Sequence, residues 1–129
     1  MLFTRRFSGG TRSECIFEEN LNEEQRHAVE YAVGVQDVYL IWGPPGTGKT
    51  TIVPEIVRNY IRLHKESNPK ILVCSYTNRA VDNVVKKLFN RFSIVRFGDS
   101  TLNPLLHSPI NKLSRTYPHA FSQLYEVES

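Results

Sequence analysis

Three stretches of the chain repeat apolar residues with a helical period, and three short apolar runs lie between and after them. Ala28, Val29, Ala32 and Val33 form the first stripe, with Asn22 and Gln25 at its head as an N-cap and N3 pair and Gly34 placed to stop it. A second helix is expected over about 48–65. Ile52, Val53, Ile56, Val57, Tyr60 and Ile61 fall on its apolar face, and Glu55, Arg58, Asn59 and Arg62 lie opposite. Pro54 inside it cannot donate to the carbonyl of Thr50, which predicts a local kink. A third helix over about 79–92 pairs Ala80, Val81, Val84, Val85, Leu88, Phe89 and Phe92 against Asp82, Asn83, Lys86, Lys87, Asn90 and Arg91.

The apolar runs Val38–Trp42, Ile71–Ser75 and Ile94–Phe97 are short and bounded by turn residues, the pattern of buried strands. Strands alternating with amphipathic helices predict a βαβαβ unit, an α/β fold with a parallel sheet flanked by helices. Residues 1–20 have no period and are expected to form a loose arm. Beyond 98 the pattern fades among Pro104, Pro109 and Pro118, and only 118–127 looks helical. The organisation is therefore an arm at 1–20, an α/β domain at 21–98 and an undetermined segment at 99–129.

Composition adjusts this picture modestly. With 129 residues, 40% hydrophobic and 22% charged, the chain suits one globular domain and neither a disordered tail nor a fibre. Net charge is +3, but residues 1–60 carry 6 basic and 8 acidic side chains and residues 61–129 carry 10 and 5. The second half can face a polyanion, although a solvated basic surface explains the same numbers. Cys15 and Cys74 make no disulfide framework, and Cys74 is expected as a buried thiol. With no apolar stretch of membrane length and no signal-peptide core, a soluble, cytosolic or nuclear setting is expected. The histidines lack metal-ligand spacing.

The chemistry concentrates in Gly43-Pro44-Pro45-Gly46-Thr47-Gly48-Lys49-Thr50, followed by Thr51. This is the G-x-x-x-x-G-K-[ST] pattern of a P-loop, set between a predicted strand and a predicted helix as its mechanism requires. Glycines let backbone N–H groups surround phosphate oxygens, and the helix turns its positive end toward them. Lys49 is expected on the β- and γ-phosphates and the Thr50 hydroxyl on Mg²⁺.

Two flanking segments narrow the family. Leu21-Asn22-Glu23-Glu24-Gln25 precedes the loop, and Ser75-Tyr76-Thr77-Asn78-Arg79-Ala80-Val81-Asp82-Asn83-Val84 follows the second run. Together they resemble the superfamily 1 helicases, in the branch of the nonsense-mediated-decay RNA helicase and its DNA-processing relatives. The resemblance covers about 21–98, the Q motif and motifs I and Ia of the first RecA-like lobe. It implies ATP and Mg²⁺ as ligands, Gln25 on the adenine edge, and Thr77 and Asn78 on the backbone of single-stranded DNA or RNA. The residues alone leave capping open for each: Gln25 as a capping-box side chain, Thr77 and Asn78 as caps of the third helix. Tyr76 stands where the family usually carries proline, and Lys86, Lys87 and Arg91 fit a solvated helix face.

No Asp-Glu pair follows an apolar strand, so the acid that holds Mg²⁺ and the glutamate that orients water are not found, nor is an arginine finger. Negligible unaided hydrolysis is expected. The resemblance further implies strands between the P-loop strand and the motif Ia strand. Their absence predicts a sheet that closes in another order, is completed by the rest of a helicase or a partner chain, or leaves the chain unstable. Three functions remain open: the ATP-binding part of a helicase, a non-catalytic nucleotide-binding module, and another P-loop ATPase of the AAA type.

Overall fold

The structure, a computed structural model, describes residues 2–6 and 9–96. These fall into two compact units, the first ending at Val73 and the second beginning at Cys74. Phe97, Gly98, the segment 99–129 and its expected helix at 118–127 lie outside the described residues.

The first unit runs β1 (Phe3–Arg6), α1 (Glu23–Gly34), β2 (Tyr39–Trp42) and α2 (Lys49–Leu63), closed by a single 3-10 turn at Lys65–Ser67. The helical periods translate directly. Asn22 caps α1, its side chain accepting the Gln25 N–H while the Gln25 side chain accepts the Asn22 N–H. Ala28, Val29 and Val33 are buried, and with Leu21 and Ile52 they make the core, against which Ile41, Ile56 and Tyr60 pack. α2 passes through Pro54, itself buried, without interruption.

The sheet differs from expectation. β2 forms where the Val38–Trp42 run predicts, but its neighbour is β1, antiparallel, with Phe3 opposite Trp42 and Arg6 opposite Tyr39. Phe3 and Trp42 bring their rings to 5.2 Å across the pair, a contact of the kind that stabilises sheets. The parallel partners do not form: 71–75 and 94–96 carry no strand structure. Leu72 is 83% exposed and Cys74 is exposed rather than buried. An apolar run without a neighbouring strand has no ladder to join, whatever its propensity.

The second correction concerns the arm. Residues 9–19 form a strap across both helices. Gly10 bridges to Val35 and the Ser13 N–H donates to the Glu30 carbonyl. The strap runs so close to the end of α1 that a Cβ on Gly34 would collide with the Thr11 carbonyl oxygen. It then lies on the polar face of α2. The Asn59 side chain takes the Ile16 N–H at 2.8 Å and returns a hydrogen bond to the Ile16 carbonyl at 3.0 Å. Glu55 Oε1 accepts the N–H groups of Glu18 and Glu19 at 3.0 and 2.8 Å, and Arg62 donates to the Glu14 carbonyl at 2.7 Å. Glu55 and Asn59 are 0% and 1% exposed, so the polar side of this helix is interior here. Arg58 supplies the countercharge, 2.9 Å from Glu55.

The second unit contains α3 (Asn78–Leu88), which buries Val84, Val85 and Leu88 and leaves Lys86 and Lys87 exposed. Among the described residues no helix is long and apolar enough to cross a membrane.

Replacing Asn59 with leucine keeps the branched shape but strips the Ile16 N–H and carbonyl of their partners. Asn59→Leu is expected to cost about 2–4 kcal/mol in urea unfolding. Cys15, inside the strap, is pushed up to about 11, chiefly by burial and then by the Glu30 carboxylate. It therefore stays a thiol at pH 8 and alkylates slowly. Its alkylation should accelerate in Asn59→Leu while that of Cys74 does not change. Equal Cys15 rates in the two proteins would show that Asn59 does not hold the strap.

Candidate functional site

The P-loop sits where β2 ends and α2 begins. Gly43 is buried beneath it, whereas Pro44, Pro45 and Gly46 are exposed at its crest. Gly48 is the N-cap of α2 with φ 78°, a left-handed conformation that glycine adopts without strain. It offers no side-chain cap, and the first turn contains no acidic residue. The positive end of α2 is thus turned into the loop without a neutralising group. Lys49, Thr50 and Thr51 occupy that first turn, with Thr50 exposed.

Hydrogen bonds within the loop set its shape. The Thr47 hydroxyl donates to the Pro44 carbonyl at 2.7 Å. The Lys49 ammonium donates to the carbonyls of Gly43 and, at 2.9 Å, Pro44. The lysine is therefore held by neutral acceptors of the loop, which an anionic oxygen can replace with a stronger bond between opposite charges.

Gln25 reaches this loop from α1. Its Oε1 accepts the Asn22 N–H at 3.0 Å and its Nε2 donates to the Thr47 carbonyl at 3.2 Å. The amide lies so close to Gly48 that a Cβ there would strike Nε2. The structure thus joins Gln25 to the predicted loop, over 22 residues of sequence, and shows the capping role as well. The residues present fit a phosphate-bearing ligand: a side-chain-free helix cap, an ammonium on exchangeable carbonyls and an amide at the loop's edge.

Thr77 and Asn78 lie in the second unit, at the head of α3. Thr77 is its N-cap and its hydroxyl oxygen accepts the Ala80 N–H at 3.3 Å. The Asn78 Oδ1 accepts from Arg96 Nη2 at 3.1 Å, and Arg96 Nε donates to Asp82 Oδ1 at 2.9 Å. Tyr76, just before the cap, is fully exposed. Sequence reasoning missed this buried Arg96–Asp82 pair and the Glu55–Asn59 grip on the strap. The one available signal was a pair of carboxylates and amides, Glu55/Asn59 and Asn78/Asp82, spaced four apart on a helix face.

The family described as an AAA domain matches residues 20–125 of the chain. The chain is 39% identical over 103 residues to the DNA polymerase alpha-associated DNA helicase A of Schizosaccharomyces pombe, covering 78% of this chain and 15% of that protein. An uncharacterized ATP-dependent helicase of Methanocaldococcus jannaschii is 39% identical over 89 residues, 67% of this chain and 13% of its own length. The DNA-binding protein SMUBP-2 of Rattus norvegicus is 40% identical over 73 residues, 57% and 7% respectively. The chain therefore spans less than a sixth of the length of these relatives. No solved structure matches it. With the P-loop and the flanking motifs in place, the chain belongs to this AAA-domain family of P-loop proteins, in its superfamily 1 helicase group.

Proposed function

We propose that the chain is the ATP-gripping part of a DNA or RNA helicase, binding Mg·ATP in the loop 43–51 and single-stranded nucleic acid at Thr77 and Asn78. The observation that carries this reading is the bond from Gln25 to the Thr47 carbonyl, which ties a base-reading amide to a phosphate-binding loop. Gly43, Gly46, Gly48 and Lys49 would cradle the phosphates, and the Thr50 hydroxyl would hold Mg²⁺. Bound ATP supplies the phosphoryl group whose transfer drives such enzymes.

Gln25 need not choose between cap and adenine. A glutamine amide has two N–H donors and an oxygen with two lone pairs. The Asn22 N–H and the Thr47 carbonyl use one of each, leaving one donor and one acceptor. Those are the complements of adenine N7 and N6–H.

The names of the relatives support the nucleic-acid half of the reading, since they include a DNA helicase and a DNA-binding protein. The exposed, unladdered run at 71–75 supports a sheet completed by further strands, from the rest of a helicase or from a partner chain. Without an acid to hold Mg²⁺ and orient water, we propose a grip with negligible hydrolysis of its own.

Trp42, the single tryptophan, immediately precedes Gly43 and reports on the loop by fluorescence. Titration with Mg·ATP should saturate in the full chain, and Lys49→Ala should weaken it about 10–100-fold. Phosphate release should stay at background with or without single-stranded DNA or RNA; sustained turnover would overturn the non-hydrolytic part. Gln25→Glu separates the two duties of that side chain. A carboxylate still accepts the Asn22 N–H but repels the Thr47 carbonyl, so helix content should hold while ATP affinity falls about tenfold and the preference over GTP narrows. Unchanged nucleotide preference would remove Gln25 from the adenine site.

A further inference from the structure

The Arg96 guanidinium is 8% exposed and grips two residues of one helix face. Asp82, 1% exposed, takes Nε; Asn78, one turn earlier and exposed, takes Nη2 through its Oδ1. A guanidinium has only donors, so it fixes the sense of the Asn78 amide: oxygen inward, nitrogen outward. A nucleic-acid backbone presents acceptors, and an outward oxygen would repel them.

We propose that Arg96 is a positioning residue for nucleic-acid binding, orienting the Asn78 amide so that Nδ2 donates to a backbone phosphate, with Asp82 holding Arg96 in place. This rests on the reading of Asn78 as a backbone contact. Asp82 serves as more than a countercharge. Accepting Nε restricts how the guanidinium can turn, which leaves Nη2 on Asn78. The polar pair therefore sets the chemistry of a surface residue that neither member replaces.

A double-mutant cycle on the full chain tests the proposal, with single-stranded dT and U oligonucleotides as probes and binding followed by fluorescence anisotropy. Asn78→Ala is expected to weaken binding about tenfold. Arg96→Met combined with Asp82→Leu removes the buried pair without stranding a charge, and is expected to weaken binding by a similar factor. The triple variant should bind no worse than either, because both changes remove the same contact. Arg96→Lys, which keeps a cation for Asp82 but lacks the fork, should fall with them, and circular dichroism should show helix content retained in each.

If Asn78→Ala binds as the unsubstituted chain does, or that chain binds neither oligonucleotide, the contact reading fails and the proposal with it. If Asn78→Ala weakens binding while Arg96→Lys and the pair-removed variant do not, the contact stands and the positioning role is wrong. Losses that multiply in the triple variant would likewise overturn positioning, since Arg96 would then act independently of Asn78.

Discussion

Two buried polar side chains on the P-loop helix, Glu55 and Asn59, organise the first unit. Together they hold the backbone of residues 16–19 through the N–H groups of Ile16, Glu18 and Glu19 and the Ile16 carbonyl. Such groups are costly to bury unbonded. The second Glu55 oxygen has no hydrogen-bond partner among the described residues, so the bonds to Oε1 and to the Asn59 amide are the ones that set the register. The strap must lie in one register on α2, and that register places the start of α1. Leu21 enters the core, Asn22 caps α1, and Gln25 emerges beside Gly48. One helix thereby carries the phosphate loop at its head and, along its flank, the anchor for the segment that delivers Gln25.

This arrangement explains why α2 has two buried faces. The apolar one, with Ile52 and Val57, is ordinary core. The polar one is buried because the strap supplies the hydrogen-bond partners that water would otherwise provide. Burying a carboxylate needs a countercharge as well, and Arg58 at 2.9 Å provides it. Removing Arg58 alone would strand Glu55, whereas Arg58 also has the Glu18 carboxylate at 3.6 Å. The amide of Asn59 serves both the N–H and the carbonyl of Ile16 without carrying charge.

The legible parts of the sequence were those governed by local rules. The capping box at Asn22 and Gln25, the stripe at Ala28, Val29 and Val33, and the glycines of the loop each depend on residues a few positions apart. The strap was not legible, because Glu55 and Asn59 look like any solvated i, i+4 pair until the distant chain that covers them is known. The 71–75 run misled for the opposite reason. Its β-branched, apolar character gives propensity, but a strand exists only as one side of a ladder, and no neighbour among the described residues pairs with it. The P-loop was visible in full, yet its coupling to Gln25 was visible only as a resemblance. The hydrogen bond to the Thr47 carbonyl is a tertiary contact that no periodicity encodes.

The same tertiary contact bears on how the loop would discriminate nucleotides. Lys49 is already bonded to the Gly43 and Pro44 carbonyls, and Thr47 to Pro44 through its hydroxyl and to Gln25 through its carbonyl. A triphosphate taking Lys49 exchanges those bonds for stronger ones, so the net affinity is the difference and not the sum of the new contacts. Gln25 restrains that loop from the side where the base would lie. A base that satisfies the amide's remaining donor and acceptor leaves the Thr47 bond intact and the loop held. One that presents the wrong pattern forces the amide to turn, breaking either the α1 cap or the tie to the loop. Under the proposed reading, selectivity for adenine would then arise from the stability of the protein's own hydrogen bonds as much as from the contact with the base.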